Sequence, residues 1–206
     1  MKLYTDRAPN PFRVTIFLHE KGLEIPTERL DIMAGETRNS EFASLNSLHE
    51  LPVLQLDDGT CLTESLAICR YLEALHPKPS LMGQAPLEVA QTEMWNRRME
   101  LHIFEPTGDF GRHVIPYFAD KIEQMPDYAD SLTRRLDRKW TWLNDELSDG
   151  RSYVCNDQFS VADISGMAAL FVQSFLDLSI PDSLTHVKRW EAAVTSRDSW
   201  RAFFGV

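Results

Sequence analysis

Leu51-Pro52-Val53-Leu54 leaves the chain around it few choices. Proline removes a backbone donor, a loss that a sheet tolerates at the first residue of a strand, so a strand is expected to begin at Pro52. Asp57-Asp58-Gly59-Thr60 supplies the residues of a tight hairpin, a second strand follows, and Thr63-Glu64-Ser65-Leu66 opens a helix with a polar start. An X-Pro bond adopts the cis form at little cost. In that form Leu51 would offer its N–H and C=O to an extended peptide, which would pair with it as one more strand. At the helix start, free N–H groups favour a carboxylate, and the Glu64 side chain suits an ammonium. The implied ligand is a small peptide with a free amino-acid head. Pro52 as a mere strand start and Glu64-Ser65 as a mere helix start compete with that reading, and the rest of the chain has to weigh in.

Upstream, residues 2–5 read as a short strand and Asp6-Arg7-Ala8-Pro9 as a turn. Asn10-Pro11 gives a helix start, with asparagine as N-cap and proline at the first helical position. Val14, Phe17 and Leu18 repeat at helical spacing up to a Lys21-Gly22 stop. Residues 26–30 give a second strand, and Ser40 caps a short helix ending at Leu45. The order βαβα then ββα predicts a small mixed sheet with helices on it. The prolines and glycine of residues 76–83 mark a shift in composition, beyond which strand signals nearly vanish. The chain therefore divides into an α/β domain over 1–76, a linker over 77–86 and an all-α domain over 87–206.

In that second domain the spacing predicts one long helix over 87–114, kinked near Pro106 and Gly108. A second, over 128–147, shows the face Leu132, Leu136, Trp140, Leu143 and Leu147. A third opens at Phe159-Ser160-Val161-Ala162-Asp163-Ile164, where Ser160 and Asp163 can form a capping box and Phe159 and Ile164 a hydrophobic staple. It runs into Ala168-Ala169-Leu170-Phe171-Val172, apolar on most sides and expected at the core. A further helix is expected over 187–195, before an aromatic end at Trp200, Phe203 and Phe204.

The 206 residues suffice for one large or two small domains with a real core. A formal net charge of −10 and a pI near 5.0 speak against nucleic acid or an anionic membrane surface as the main partner. No apolar run is long enough to span a bilayer, and Met1-Lys2-Leu3-Tyr4-Thr5-Asp6 lacks the apolar core of a signal peptide. Cys61, Cys69 and Cys155 form neither a CxxC nor a metal-ligand spacing, so no metal is expected. They read as thiols of a reducing cytosol, with Cys69 partly buried on a mixed helical face. The expected location is cytoplasmic.

Over nearly all its length the chain resembles the soluble glutathione transferases. The stretches that carry the resemblance are Leu51-Pro52-Val53-Leu54, the run from Leu62-Thr63-Glu64-Ser65 to Tyr71-Leu72-Glu73, Phe159-Ser160-Val161-Ala162-Asp163-Ile164, and Val187-Lys188-Arg189-Trp190. The resemblance implies a thioredoxin-like N-terminal domain (βαβαββα), then an all-α C-terminal helical domain forming the second-substrate side, and a two-fold homodimer. It implies glutathione as co-substrate, no permanently bound cofactor, and a small electrophile or disulfide as the other substrate. By resemblance Leu51 is the backbone partner of the cysteinyl unit, Pro52 the cis-proline, and Glu64 and Ser65 the holders of the γ-glutamyl end. Asn46-Ser47-Leu48-His49-Glu50-Leu51-Pro52 is similar to the Asn-Pro-x-His-x-Ile-Pro of some classes, whose histidine holds the glycyl carboxylate. Ser47 replaces that proline here, and His49 reads equally as a solvated loop residue.

The chemistry that the resemblance implies needs the glutathione sulfur as thiolate, because that form is the nucleophile. In the family the activating donor sits between the first strand and the first helix. The serine position falls at Ala8 and the cysteine position at Asn10; Tyr4 aligns with the tyrosine of other classes, and Thr5 is a further hydroxyl. Ala8-Pro9-Asn10 resembles the Thr-Pro-Asn of bacterial nu-class members, in which an asparagine amide and a threonine hydroxyl face the sulfur and which reduce disulfides with glutathione. Asn10 is therefore the first choice, ahead of Tyr4 and Thr5. The competing role, capping its own helix through its oxygen, still leaves the NH₂ to donate. A carboxylate at Asp6 close to the sulfur would oppose ionisation, with Arg7 beside it as counter-charge.

Trp95, Arg98, Met99 and His102, three or four residues apart on the first long helix, read as the second-substrate face, with Arg98 suited to an anionic acceptor. The same stripe serves as well as core or dimer interface. The leading reading is a transferase that ionises the bound thiol and adds it to a small electrophile. One alternative is a glutathione-dependent disulfide-bond reductase, favoured by Asn10. The other is a non-catalytic binding or interaction module on the same fold, favoured by Ala8.

Overall fold

The computed structural model describes residues 1–176 and 178–205, and the chain forms two compact units, Met1–Leu81 and Met82–Val206. The first contains β1 (Lys2–Thr5), α1 (Pro9–Lys21), β2 (Thr27–Arg29), α2 (Ser40–Leu45), β3 (Val53–Gln55), β4 (Cys61–Leu62) and α3 (Ser65–Leu75). Two helix starts differ from the sequence reading. Helix α1 begins at Pro9 with Ala8 as N-cap, so Asn10 lies inside the first turn and does not cap it. The first of the two prolines sets the start, because a first helical residue has no use for its N–H. For α2 the cap is Asn39, whose side chain accepts from the Phe42 N–H at 2.8 Å, and Ser40 is the first helical residue.

The strands form one mixed sheet in the order β2-β1-β3-β4, with β1 parallel to β2 and antiparallel to β3. Between β3 and β4, Leu56 N–H donates to the Thr60 carbonyl at 2.8 Å and Asp58 accepts from the Thr60 N–H at 2.9 Å, closing the expected hairpin. Side chains alternate across a strand. Tyr4 and Val53 therefore share one face, where Phe42, Leu51 and Val53 form a buried cluster with Tyr4, Leu30, Ile32 and Leu45 packed against it. Leu3 and Leu54, paired in register, lie buried on the other face, and α3 packs against both β3 and α1. Cys69, read from the sequence as partly buried, is fully buried on α3, and burial pushes its thiol up to about 12.

The expected linker is not loose. Lys21, its ammonium fully buried at the end of α1, pairs with Glu73 and donates to the carbonyls of His76 (2.8 Å) and Pro79. Glu73 also accepts from Ser80 Oγ at 3.2 Å and from the Leu81 N–H at 3.1 Å. Residues 77–81 are thereby held onto the first unit, while Gln84 and Ala85 donate to Glu88 in the first turn of the next helix.

The second unit is helical: α4 (Pro86–Met99), α5 (Glu105–Val114), α6 (Pro126–Glu146), α7 (Val161–Gln173), α8 (Thr185–Thr195) and α9 (Asp198–Phe204). The helix expected over 87–114 is two α-helices joined by a π-helical turn, Glu100–Phe104. Its irregularity falls just before Pro106, whose missing N–H removes the hydrogen bond that would hold regular pitch there. Helix α7 is buried along its whole length. A Cβ on Gly166 would stand 2.6 Å from Met99 Cε and 2.7 Å from Trp190, so only glycine lets these two side chains close over the helix. Ser160 and Asp163 form the expected capping box, and Asp163 does more: it accepts from the N–H groups of Ser160 and Val154 at 3.0 Å each and from Trp190 Nε1 at 2.9 Å.

Candidate functional site

Register brings three chain segments to one end of the sheet. Tyr4 stands opposite Val53, so Thr5 and the turn into α1 reach the level of Pro52. Leu54 stands opposite Leu62, so the chain leaving β4 arrives at Thr63-Glu64 beside the same Val53-Pro52 end. Residues from three separate parts of the sequence thus meet there: Leu51 and Pro52, Glu64 and Ser65, and the β1–α1 turn with Thr5 and Asn10.

The Leu51–Pro52 bond is cis. Leu51 buries its side chain, and among the described residues neither its N–H nor its C=O makes a hydrogen bond. Glu64, exposed, holds φ +64° and ψ +115°, a left-handed φ that only a fixed local structure imposes on a residue with a side chain. That twist turns the chain sharply from β4 into α3. Ser65 follows, 2% exposed, and its hydroxyl has no hydrogen-bond partner among the described residues. The Ser65, Leu66 and Ala67 N–H groups at the start of α3 likewise meet no acceptor among the described residues. A buried hydroxyl without a partner costs about 1–3 kcal/mol. Set beside free helix N–H groups and a flanking carboxylate, it can take a carboxylate on the hydroxyl and N–H side and an ammonium on Glu64.

The donors of the β1–α1 turn are not equivalent. Tyr4 projects on the α2 face of the sheet, and its hydroxyl donates to Gln55 Oε1 at 3.3 Å. Thr5 projects on the opposite face, where α1 and α3 pack, and its Oγ1 is buried without a partner among the described residues. Asn10, half-buried, accepts from Arg13 Nη2 at 2.6 Å through Oδ1, so the NH₂ is turned the other way. Arg13, 4% exposed, is a contributor that the sequence reading missed; the signal was its i+3 spacing from Asn10 on one helix. Asp6 does not oppose a thiolate as an unengaged carboxylate would. It accepts from Arg29 Nε at 3.0 Å and from the N–H groups of Ile32 and Arg7 at 3.1 and 2.7 Å, tying the turn to the segment after β2.

His49 sits in the loop before Leu51 with φ +58° and donates Nδ1–H to the Thr37 carbonyl at 2.7 Å. Asn46 fixes the same loop, donating to the Glu50 carbonyl and accepting from the Leu48 N–H.

The four residues expected at the second-substrate face separate by burial. Met99 is fully buried against Gly166 and belongs to the core of the helical unit. Trp95, 7% exposed, is covered by the guanidinium groups of Arg98 and Arg151, each 4.9 Å from its ring centre. Arg98 and His102 remain half-buried. Trp142 of α6 stacks on Trp95 at 5.9 Å and meets His102 edge-on at 6.3 Å. The sequence reading passed over Trp142, although Arg135, Lys139 and Trp142 share a face by their spacing.

Comparison with known proteins bears directly on this arrangement. Residues 1–74 match the glutathione S-transferase N-terminal domain and residues 110–198 the glutathione S-transferase C-terminal domain. The chain belongs to the glutathione S-transferase family. Glutathione S-transferase 2 of Saccharomyces cerevisiae is 32% identical over 199 residues, covering 95% of this chain and 85% of that protein. Human glutathione S-transferase theta-2B is 25% identical over 201 residues, covering 94% of this chain and 80% of its own. Among solved structures, a glutathione S-transferase domain-containing protein from Marinobacter aquaeolei superposes with a TM-score of 0.89 at 35% identity, covering 97% of this chain and all (100%) of that one. Gtt2 from S. cerevisiae gives 0.90 at 30% identity, over 98% of this chain and 100% of its own. The family's two-part fold, a mixed sheet with helices followed by a helical unit, is the fold described above.

Proposed function

We propose that this family member is a glutathione transferase that binds glutathione at the Leu51–Pro52 and Glu64–Ser65 end of its sheet. The observation that carries the proposal is the Ser65 hydroxyl, buried and, among the described residues, without a partner, at the start of a helix whose first N–H groups are also unanswered there. The γ-glutamyl carboxylate fits Ser65 and those N–H groups, and the ammonium fits Glu64. Leu51 offers one donor and one acceptor to the cysteinyl backbone in the manner of an added strand. His49, reaching out from its bond to Thr37, is the proposed partner of the glycyl carboxylate.

This places the sulfur toward the β1–α1 turn. Asn10 Nδ2, aimed away from Arg13, and the Thr5 hydroxyl are the proposed donors to the thiolate; Tyr4 drops out because it stands on the other face, bonded to Gln55. The thiol gives its proton to solvent, the thiolate attacks, and a carbon–sulfur bond forms as the electrophile adds or loses its leaving group. Each pKa unit by which these donors lower the thiol corresponds to about 1.4 kcal/mol. Arg98, His102 and Trp95 form the proposed acceptor side, without Met99, and the working form is taken to be a homodimer. A disulfide in place of the electrophile is the second reading, favoured by Asn10 at the start of α1, where no cysteine stands.

The test is calorimetric titration with reduced glutathione on the native chain and on Ser65→Ala. Binding in the first and a loss of about tenfold or more in the second supports the site. No binding to the native chain removes both enzymatic readings and leaves an interaction module on this fold.

A further inference from the structure

Between α5 and α6 the chain runs through residues 115–125, with a 3₁₀ turn at Pro116–Phe118. The backbone bonds of this segment are local: the Phe118, Ala119, Lys121 and Ile122 N–H groups donate to carbonyls three or four positions back. Two side chains fasten it to α5. Gln124 Nε2 donates to the Arg112 and Ile115 carbonyls at 2.9 Å each, and the Met125 N–H donates to His113 Nδ1 at 3.0 Å. Met125 is the N-cap of α6, and its carbonyl accepts from the Tyr128 and Ala129 N–H groups. The Tyr128 ring meets that of His113 edge-on at 5.0 Å. One imidazole at the end of α5 thus holds both the last residue of the segment and the first turn of the next helix.

A backbone N–H can only donate, so Nδ1 is the unprotonated nitrogen and the proton of the neutral ring sits on Nε2. A second proton would set N–H against N–H and remove the bond. Histidine rings change charge between about pH 5 and 8. A protonated His113 would gain at the C-terminal end of α5 and lose at the N-terminal end of α6, so the two helix dipoles oppose each other and the hydrogen bond decides. The charged groups of the packed elements do not reverse this. On α5, Asp109 is paired with Arg112 at 2.7 Å. In the segment, Lys121 lies over the Tyr117 ring and donates to Asp120, while Glu123 is exposed. Asp127 and Asp130 are exposed on α6, and the one charged residue of α7, Asp163, stands in its first turn. Among the described residues no carboxylate forms an ion pair with His113.

We propose that His113 is a proton-operated latch on residues 115–125. Neutral, it holds the segment and the start of α6 against α5. Protonated, it lets go, and Ile115, Phe118 and Ile122, now half-buried, open to solvent. The latch is closed at higher pH and lost as pH falls through the titration of the ring. It stands independently of the glutathione site.

Hydrogen exchange of the whole protein, without glutathione, is followed at about pH 8 and about pH 5. Each rate is divided by that of an unstructured chain at the same pH, and the amides of α8 report any change in overall stability. Protection over residues 117–129 should fall about tenfold more than that of α8 at the lower pH. His113→Asn, whose Oδ1 can replace Nδ1 and accepts at any pH, should keep the segment protected at both. His113→Phe, a ring with no acceptor, should leave it about tenfold less protected at both. Melting curves establish that the variants are folded. The proposal is overturned if native protection over 117–129 changes no more than that of α8, if His113→Asn shows the native pH dependence, or if His113→Phe is as protected as the native chain at the higher pH.

Discussion

Helices α7 and α3 each have a buried serine at the start, and the two starts are built in opposite ways. At α7, Ser160 caps the helix, Asp163 accepts from the Ser160 N–H, and the same carboxylate accepts from Val154 N–H and Trp190 Nε1 elsewhere in the unit. At α3, Ser65 is as deeply buried, yet its hydroxyl and the N–H groups around it have no partner among the described residues. Serine at a helix start is common currency in proteins; what separates the two sites is whether the polar groups are satisfied from within. A network closed on itself serves the fold, and one left open costs stability that only a ligand returns.

The sharpest way to break that comparison is Asp163→Ala. It leaves three N–H donors unanswered in the core and should cost on the order of 4 kcal/mol, read as a fall in the urea midpoint. Asp163 also gives the closed site a pH signature. Burial pushes its carboxyl up to about 6, against the hydrogen bonds that pull it down. The folded-state value exceeds the unfolded one, so the stability linked to its protonation is full below pH ~4, falls as pH rises, and is gone above pH ~6. Asp163→Asn should flatten that slope by on the order of 2 kcal/mol between pH 4 and 7, measured by urea unfolding at both.

At the open site the ranking reverses. Ser65→Ala should leave the urea midpoint within about 0.5 kcal/mol of native while weakening glutathione by about tenfold or more. Asn10→Ala should raise the pKa of the bound thiol by about one unit, visible in the ultraviolet absorbance of the thiolate across pH, with little change in affinity. Smallest is Ser160→Ala, expected to cost about 1 kcal/mol of stability and to leave glutathione binding untouched. If Ser65→Ala destabilised the chain as Ser160→Ala does, the contrast would be lost.

The sequence made the open site legible more fully than the closed one. Pro52 and Glu64-Ser65 are local signals, readable because proline and a polar helix start mean something without a partner. Their meeting at one end of the sheet depends on the β1–β3 and β3–β4 registers, which no local pattern states. Asn10 was legible as a residue type, but not its direction, which Arg13 sets. The capping box at Ser160 was visible too, whereas the bond from Trp190 to Asp163 joins residues 27 positions apart and has no spacing rule to announce it. Misplaced starts at Asn10 and Ser40 have different causes: Pro9, the first of two prolines, sets the start of α1, whereas at α2 two adjacent residues each suited the cap and Asn39 took it. The π-helical turn escaped because Glu100–Phe104 keeps helical composition, and only the geometry before Pro106 gives it away.

Lys21 links the far ends of the helices that carry the open site. Helix α1 presents Asn10 in its first turn and Lys21 in its last; α3 presents Ser65 first and Glu73 near its end, and the two basic and acidic tips are joined where the chain leaves the unit. Over 13 residues, at 1.5 Å each, α1 is a rod of about 20 Å. A rod fastened at its tail has little freedom to swing its head. Hydrogen exchange should therefore treat the exit at His76–Leu81 and the first turns of α1 and α3 as one cooperative block, so that loosening the tail with Lys21→Ala hastens exchange at the head. Distance along the helix would then be no protection for the site, because the fastening at one end is what keeps the other end still.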